Sequence, residues 1–317
     1  MHAPDHLLNA SLSATTAVVA AGGLAYAVHR LRTGEERRRI PLTVATTGFV
    51  FAAQMVNFPV LSGTSGHLIG AALAVALVGP WLAMLSIALV LTVQSVVFAD
   101  GGLTALGTNV LLMSLVGVAV ATTVSVLVRR MSGSENRPLL GAALGAVASV
   151  PVGAAVLAGL IGVGGTSSVP FGAVLGSMVG VHALIGAGEA VITVAVLAAV
   201  MALAPGLAAA DTRPLQRDRR GFGVGALGAM AGVSAVLLTS VASTDPDGLE
   251  AVSLTYGIDA LTSPHLWGTT LLADYGAVNG VPTALAGLAG LLLTAAASWL
   301  LLQFVGRGRA SARFATN

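Results

Sequence analysis

The chain opens Met1-His2-Ala3-Pro4-Asp5. A free terminal amine followed directly by histidine offers three nitrogens to one ion: the Met1 amine, the His2 amide once deprotonated, and Nδ1 of the His2 ring. A fourth nitrogen closes a square plane, the geometry that nitrogen-rich Ni(II) or Cu(II) prefers. Methionine is expected to stay ahead of so bulky a second residue, provided the formyl group is removed, and this keeps His2 at position two. Taken alone, the dipeptide reads first as a solvated terminus. A candidate for the fourth nitrogen is His67, in the turn Gly63-Thr64-Ser65-Gly66-His67. Gln54, Asn57, Thr64 and Ser65 are placed to orient its ring or to close the surrounding shell. By itself His67 is equally an interfacial turn histidine.

Other residues carry weaker signals. Glu189 stands in the middle of an apolar run, where a carboxylate is a functional candidate by default. A hydrogen-bonded packing role and a part in coupling both fit it. His182 precedes it on the same helix face about two turns away, so the two cannot bond directly. Asp100, in a glycine-rich turn, reads as a cap before a ligand. Asp245, Asp247, Glu250, Asp259 and Asp274 lie in a stretch without arginine. Their field would draw divalent cations, although any membrane protein with arginines on one side leaves its acids on the other. His265 is too isolated to assign.

The chemistry at residues 2 and 67 requires a frame that brings both to one side. Hydrophobic residues make up 56% of the 317-residue chain and charged ones 9%, with a mean hydropathy of +0.90. That is too little charge to cover a water-soluble domain of this size. Several apolar runs reach the roughly 20 residues a helix needs to cross a bilayer, and they are continuous rather than alternating, which favours helices over a β-barrel. The chain has no cysteine, so disulfides, thiolate sites and cysteine nucleophiles are excluded.

All fifteen basic residues are arginine, in four clusters: Arg30 to Arg39; Arg129, Arg130 and Arg137; Arg213 to Arg220; and Arg307, Arg309 and Arg313. Short arginine-rich loops stay cytoplasmic, so each cluster marks an inside loop or tail. No aromatic platform accompanies them, which argues against nucleic acid. Between the clusters the apolar runs predict spans over 12–28, 41–60, 67–79, 81–98, 103–128, 139–163, 170–205, 222–243 and 282–305. The third is short enough to sit inside the bundle. The overlong seventh, with Gly186 and Gly188 within it, predicts a tilt or a break. An even number of spans separates each arginine cluster from the next, and the N-terminus and the His67 turn fall on the outer side. No basic region precedes the first apolar run, so a cleaved leader is not expected. Small residues within the spans, such as Gly141-Ala142-Ala143-Leu144-Gly145, allow close helix packing.

Several segments together resemble the CbiM/NikM substrate-capture subunit of energy-coupling factor (ECF) transporters for cobalt or nickel. They are Met1-His2-x-Pro4-Asp5, Phe49-Val50-Phe51-Ala52-Ala53-Gln54-Met55-Val56-Asn57-Phe58-Pro59-Val60, Gly63-Thr64-Ser65-Gly66-His67-Leu68, Asp100-Gly101-Gly102-Leu103-Thr104-Ala105-Leu106-Gly107 and His182-Ala183-Leu184-Ile185-Gly186-Ala187-Gly188-Glu189-Ala190. The remainder resembles the NikN-like PDGLE module, through Pro246-Asp247-Gly248-Leu249-Glu250. The resemblance implies an all-α polytopic membrane protein, with a bundle of about seven transmembrane helices and a two-helix C-terminal extension. It implies a metal-capture domain over 1–210, a cytoplasmic linker over 211–221 and the PDGLE module over 222–317. It further implies that Met1, His2 and His67 ligate Ni2+ or Co2+ through four nitrogens. The expected location is the bacterial cell (inner) membrane, with a transmembrane coupling (T) subunit and ATP-binding subunits as partners. Two positions depart from the family pattern: Ala3 mildly, and His6, which could compete as a ligand.

The chain has no lysine, so it cannot form a phosphate-binding Gly-x-x-x-x-Gly-Lys-[Ser/Thr] loop, and any ATP-driven function must borrow its ATPase. A self-sufficient carrier or channel would call for paired ionisable residues along a midplane path, for which only Glu189 and His182 are available. An intramembrane metallo-enzyme is disfavoured: no His-Glu-x-x-His is present, and four protein nitrogens in a plane leave no in-plane place for an activated water. Nickel is preferred, although low-spin Co(II) accepts the same four nitrogens.

Overall fold

The computed structural model describes residues 1–33, 39–61, 63–132, 137–165 and 169–314. Arg37 and Arg38 of the first arginine cluster lie outside the described residues. The apolar runs fold as helices because each backbone polar group in a membrane must find its partner within its own segment. Those helices are α1 (Ala10–Thr33), α2 (Ile40–Gln54), α3 (Ala71–Val78), α4 (Pro80–Val93), α5 (Leu106–Asn109), α6 (Gly117–Ser132), α7 (Pro138–Gly164), α8 (Phe171–Leu203), α9 (Arg220–Val236), α10 (Gly248–Tyr256) and α11 (Thr283–Phe314). Wider π-helical turns at Gln94–Phe98 and Val110–Val116 extend α4 and link α5 to α6. Among the described residues six helices are long and apolar enough to cross a bilayer, and α2 is a shorter apolar helix.

Four of the expected spans are revised. The helix expected over 41–60 stops at Gln54, and the chain turns into a hairpin of β1 (Phe58–Leu61) and β2 (Thr64–Gly66). Pro59 explains this, because its ring disfavours helical backbone at the residue before it and it has no N–H to donate. The span expected over 67–79 is helical only from Ala71 to Val78, all eight residues of which are buried. The long α8 runs through Gly186 and Gly188 without a break. These two glycines serve packing instead: a Cβ on Gly186 would stand 3.2 Å from the Val147 carbonyl oxygen, and one on Gly188 would stand 2.5 Å from the Phe58 ring. α11 also continues past the expected end at 305, carrying its arginines on a helix.

The short α3 shows how a broken span survives in the bundle. Its first turn leaves N–H groups with no helical partner and its last turn leaves free carbonyls. The Glu189 carboxylate of α8 accepts from the N–H groups just ahead of α3, from Ile69 at 2.7 Å and from Gly70 at 3.1 Å. At the other end the Ala209 and Ala210 N–H groups donate to the carbonyls of Leu77 (2.8 Å) and Ala76 (2.9 Å). Gly70 and Gly79, with φ of 84° and 88°, let the chain enter and leave this helix through left-handed backbone.

The two C-terminal helices α9 and α11 pack against α2. A Cβ on Gly290 would come within 2.1 Å of the Phe51 ring, and Thr47 Oγ1 bonds Ser86 at 2.9 Å and lies 3.3 Å from Ser298. These hydroxyls tie α2, α4 and α11 together where little else is polar. The chain's turns sort between two ends of the bundle. Arg30, Arg129, Arg137, Arg213 and Arg220 mark one end, where Arg213 pairs with Asp211 at 2.8 Å. Met1, the β-hairpin, Asp100 and Asp247 meet at the other.

Candidate metal centre

The N-terminal segment is threaded into the bundle by its own backbone. The Ala3 N–H donates to Asn109 Oδ1 at 2.8 Å, and the Ala3 carbonyl accepts from Asn109 Nδ2 at 3.2 Å and from the Gly102 N–H at 2.9 Å. Asp5 Oδ1 accepts two bonds from Thr104, one from N and one from Oγ1, both 2.7 Å. Further along, Asn9 N–H donates to the Gly164 carbonyl at 2.8 Å. The Asp100-Gly101-Gly102 turn needs its glycines for this. Gly101 adopts a φ of 82°, and a Cβ on Gly102 would stand 2.3 Å from the Asp5 nitrogen.

Threading puts the Met1 nitrogen, the amine of a residue 4% exposed, 3.0 Å from His67 Nε2. His67 Nδ1 lies 3.2 Å from the Leu68 carbonyl oxygen, which can only accept. Nδ1 therefore carries the proton, and Nε2 keeps its lone pair for a ligand. The same reasoning applies to His2. Its Nε2 lies 3.2 Å from Gln94 Oε1, while Gln94 Nε2 donates to the Tyr275 hydroxyl at 3.1 Å and Tyr275 donates to Asp100 Oδ2. The chain of donors turns the Gln94 carbonyl oxygen towards Nε2, so that Nδ1, the atom a terminal chelate uses, faces the Asp100 carboxylate. Nδ1 sits 3.3 Å from Asp100 Oδ1. The two imidazoles are 20° from parallel with centroids 5.0 Å apart, close enough for one ion at about 2 Å from each ligating nitrogen to reach both.

Electrostatics suit a cation. Burial pushes His2 down to about 4, overriding the opposing pull of Asp100, so the ring is neutral and able to ligate near pH 7. Burial alone would raise Asp247, but the positive charge beside it, above all the Met1 ammonium, outweighs burial and holds this carboxyl well below its usual range. Tyr275 is pushed well above its ordinary value by burial and then by the neighbouring Asp100, so it remains a donor. Among the described residues no three His, Asp or Glu side chains form a metal cluster on their own. The donor set here depends on the main-chain amine.

The other candidates fall as follows. Gln54 bonds the Ile69 carbonyl at 3.0 Å and so holds the segment after His67. The Asn57 carbonyl accepts from Ser243 N–H, and Thr64 bonds back to Leu61 within the hairpin. Ser65 donates from N to Pro246 O at 2.9 Å and from Oγ to Asp245 O at 2.7 Å. These four residues frame the hairpin, and the polar partners of the two rings come instead from Leu68, Gln94 and Asp100. His6 is exposed, with its backbone N–H on Thr104 at 3.3 Å. His182 donates from Nδ1 to Met178 O at 2.8 Å, and its Nε2 is buried without a hydrogen-bond partner. Asp100, expected as a cap, is a contact of His2 and Tyr275. Gln94, Asn109 and Tyr275 were not among the candidates. The available signal was two amides inside apolar runs, each of which sits at a π-helical turn or beside one.

The region that holds these residues resembles a known family. Residues 2–207 match the model of CbiM, described as the cobalt uptake substrate-specific transmembrane region. The chain belongs to the CbiM family. Its resemblance to relatives runs further than that domain. A protein of Archaeoglobus fulgidus named "Putative fused nickel transport protein NikMN" is 32% identical over 314 residues, 96% of this chain and 99% of the relative. The fused nickel transport protein NikMN of Rhodobacter capsulatus is 34% identical over 142 residues, 44% of this chain and 41% of the relative. The crystal structure of a truncated transition metal transporter aligns with a TM-score of 0.57 and 26% identity, covering 64% of this chain and 99% of that one. This CbiM-family protein is therefore an all-α, multi-pass membrane protein.

Proposed function

We propose that the chain is the substrate-capture subunit of an ECF-type importer, binding Ni2+ or Co2+ through four nitrogens: the Met1 amine, the His2 amide, His2 Nδ1 and His67 Nε2. The observation that carries this is the placement of the Met1 amine 3.0 Å from His67 Nε2, with the Leu68 carbonyl on the other nitrogen of the His67 ring and Gln94 on Nε2 of His2. Four nitrogens in a plane suit nickel, and a relative matched along nearly the full chain bears the name putative fused nickel transport protein. In this reading residues 1–210 form the capture domain, 211–221 a cytoplasmic linker and 222–317 the PDGLE module. In the same reading the arginine-rich end lies in the cytoplasm, as short arginine-rich loops do, and the site lies on the outer face of the cell membrane. A coupling subunit and ATP-binding subunits supply the energy.

The test is Ni(II) binding to purified protein with its native terminus, compared with a version carrying one extra residue before Met1. The extension removes the terminal amine from the chelate while every side chain remains. Affinity is expected to fall on the order of 100-fold or more, the scale at which metal sites lose function when their support is disturbed. Equal binding by the two proteins overturns the four-nitrogen site. Uptake by liposomes holding this chain alone, undiminished by the absence of partner subunits, would favour a self-sufficient carrier instead.

A further inference from the structure

The PDGLE segment lies at the candidate centre, and each of its residues has a local reason to be there. The Pro246 carbonyl accepts from Ser65 of the hairpin, pinning the loop beside His67. Asp247 caps α10: Oδ1 accepts from the N–H groups of Leu249 at 2.8 Å and Glu250 at 2.9 Å, and Glu250 reaches back to the Asp247 N–H at 3.4 Å. Gly248 admits the loop onto α8, since a Cβ there would stand 2.9 Å from both His182 Cε1 and Ile185 Cδ1. Leu249 is buried beneath it. Capping α10 uses one carboxylate oxygen. The other, Oδ2, is aimed at the site.

Oδ2 stands 2.8 Å from the Met1 nitrogen and 3.7 Å from His67 Nε2, and those two nitrogens are 3.0 Å apart. Three ligands on adjacent positions of an ion, each about 2 Å from it, stand about 3 Å from one another. Two sides of this triangle match that spacing, and the third, from Oδ2 to His67 Nε2, is 3.7 Å. Two of its corners are nitrogens of the proposed plane and the third is a carboxylate, a donor that hydrated divalent ions accept readily. From this, and resting on the capture function proposed above, we infer that Asp247 is a direct ligand in an entry site for the incoming ion. The Met1 ammonium gives a proton to water as the ion binds to its nitrogen, His67 Nε2 and Asp247 Oδ2. The ion then exchanges the carboxylate for the His2 nitrogens, and the His2 amide proton leaves to water. The C-terminal module thus contributes a ligand to capture.

Asp247→Asn tests this, because asparagine caps a helix as well as aspartate, while the charge is lost and an NH2, which cannot ligate, replaces Oδ2. Capture of Ni(II), supplied as the chloride and followed by stopped flow, is expected to slow roughly tenfold or more. The visible absorption of the final planar complex is expected to match wild type, because Asp247 is absent from the four-nitrogen plane. A thermal melt run alongside reports whether α10 remains capped. If the melt drops, Asp247→Ser, which also caps, takes its place. Capture rates within about twofold of wild type in the well-folded variant overturn the entry ligand. That result leaves the four-nitrogen site standing, whereas tight binding by the N-terminally extended protein removes the site itself.

Discussion

Glu189→Ala is expected to leave little folded protein. The carboxylate is fully buried, and its two oxygens accept the Ile69 and Gly70 N–H groups that lead into α3. Neither donor has a helical partner, and both are satisfied by a fully buried carboxylate, so its removal orphans them. Each orphaned donor costs roughly 1–3 kcal/mol by protein measurements. The pair together, with the cavity left by the side chain, is therefore comparable with the ~5–15 kcal/mol that holds a typical domain folded. Glu189→Gln keeps one carbonyl oxygen for one donor but turns an amide NH2 towards the other, so its loss is expected to be intermediate. A melting series in detergent on wild type, Glu189→Gln and Glu189→Ala checks this order. A wild-type melt for Glu189→Ala would show that the segment does not need this cap. The glutamine variant also separates structure from binding: the protein that folds is expected still to require His67 for nickel.

Gly102→Ala is expected to do the opposite, sparing the bundle while removing the site. Gly102 has no left-handed φ, so alanine is allowed by the backbone and the effect is steric. The atoms a Cβ would strike are all main chain: Asp5 N at 2.3 Å, Pro4 C at 2.6 Å and Asp5 Cα at 2.7 Å. A backbone held by Asn109 and Thr104 cannot swing aside as a side-chain tip would, so residues 3–5 must lift away. Overpacking of this kind costs about 1–3 kcal/mol, which a multi-helix bundle tolerates. The Met1 amine lies only a few residues from the collision and leaves His67 with it. Nickel affinity is expected to fall on the order of 100-fold while the melt moves by a few degrees. Wild-type affinity in a folded Gly102→Ala protein would mean that the amine is not held by this turn.

The sequence by itself determined the class of the protein and most of its long helices. Uninterrupted apolar runs carry that information locally, because in lipid each helix satisfies its own backbone. The arginine clusters likewise mark alternate helix ends without any tertiary information. The Met1-His2 pair was legible because its three nitrogens are covalent neighbours. The pairing with His67 followed from both lying at the same end of the bundle.

Only the tertiary structure decided how the broken span is kept. Glu189 read equally as packing or coupling until its oxygens were found on Ile69 and Gly70, about 120 positions away. It also decided which side chains surround the histidines. The expected Gln54, Asn57, Thr64 and Ser65 brace the hairpin, whereas Gln94, Asp100 and Tyr275 set the His2 ring. Asp247 stood out in the sequence only as part of a motif and an acidic stretch. Its carboxylate reaches an amine 246 residues earlier. Contacts at such separation depend on how helices stack across the bundle, and no period or spacing along the chain encodes them, because small-residue packing between helices fixes their approach only in three dimensions.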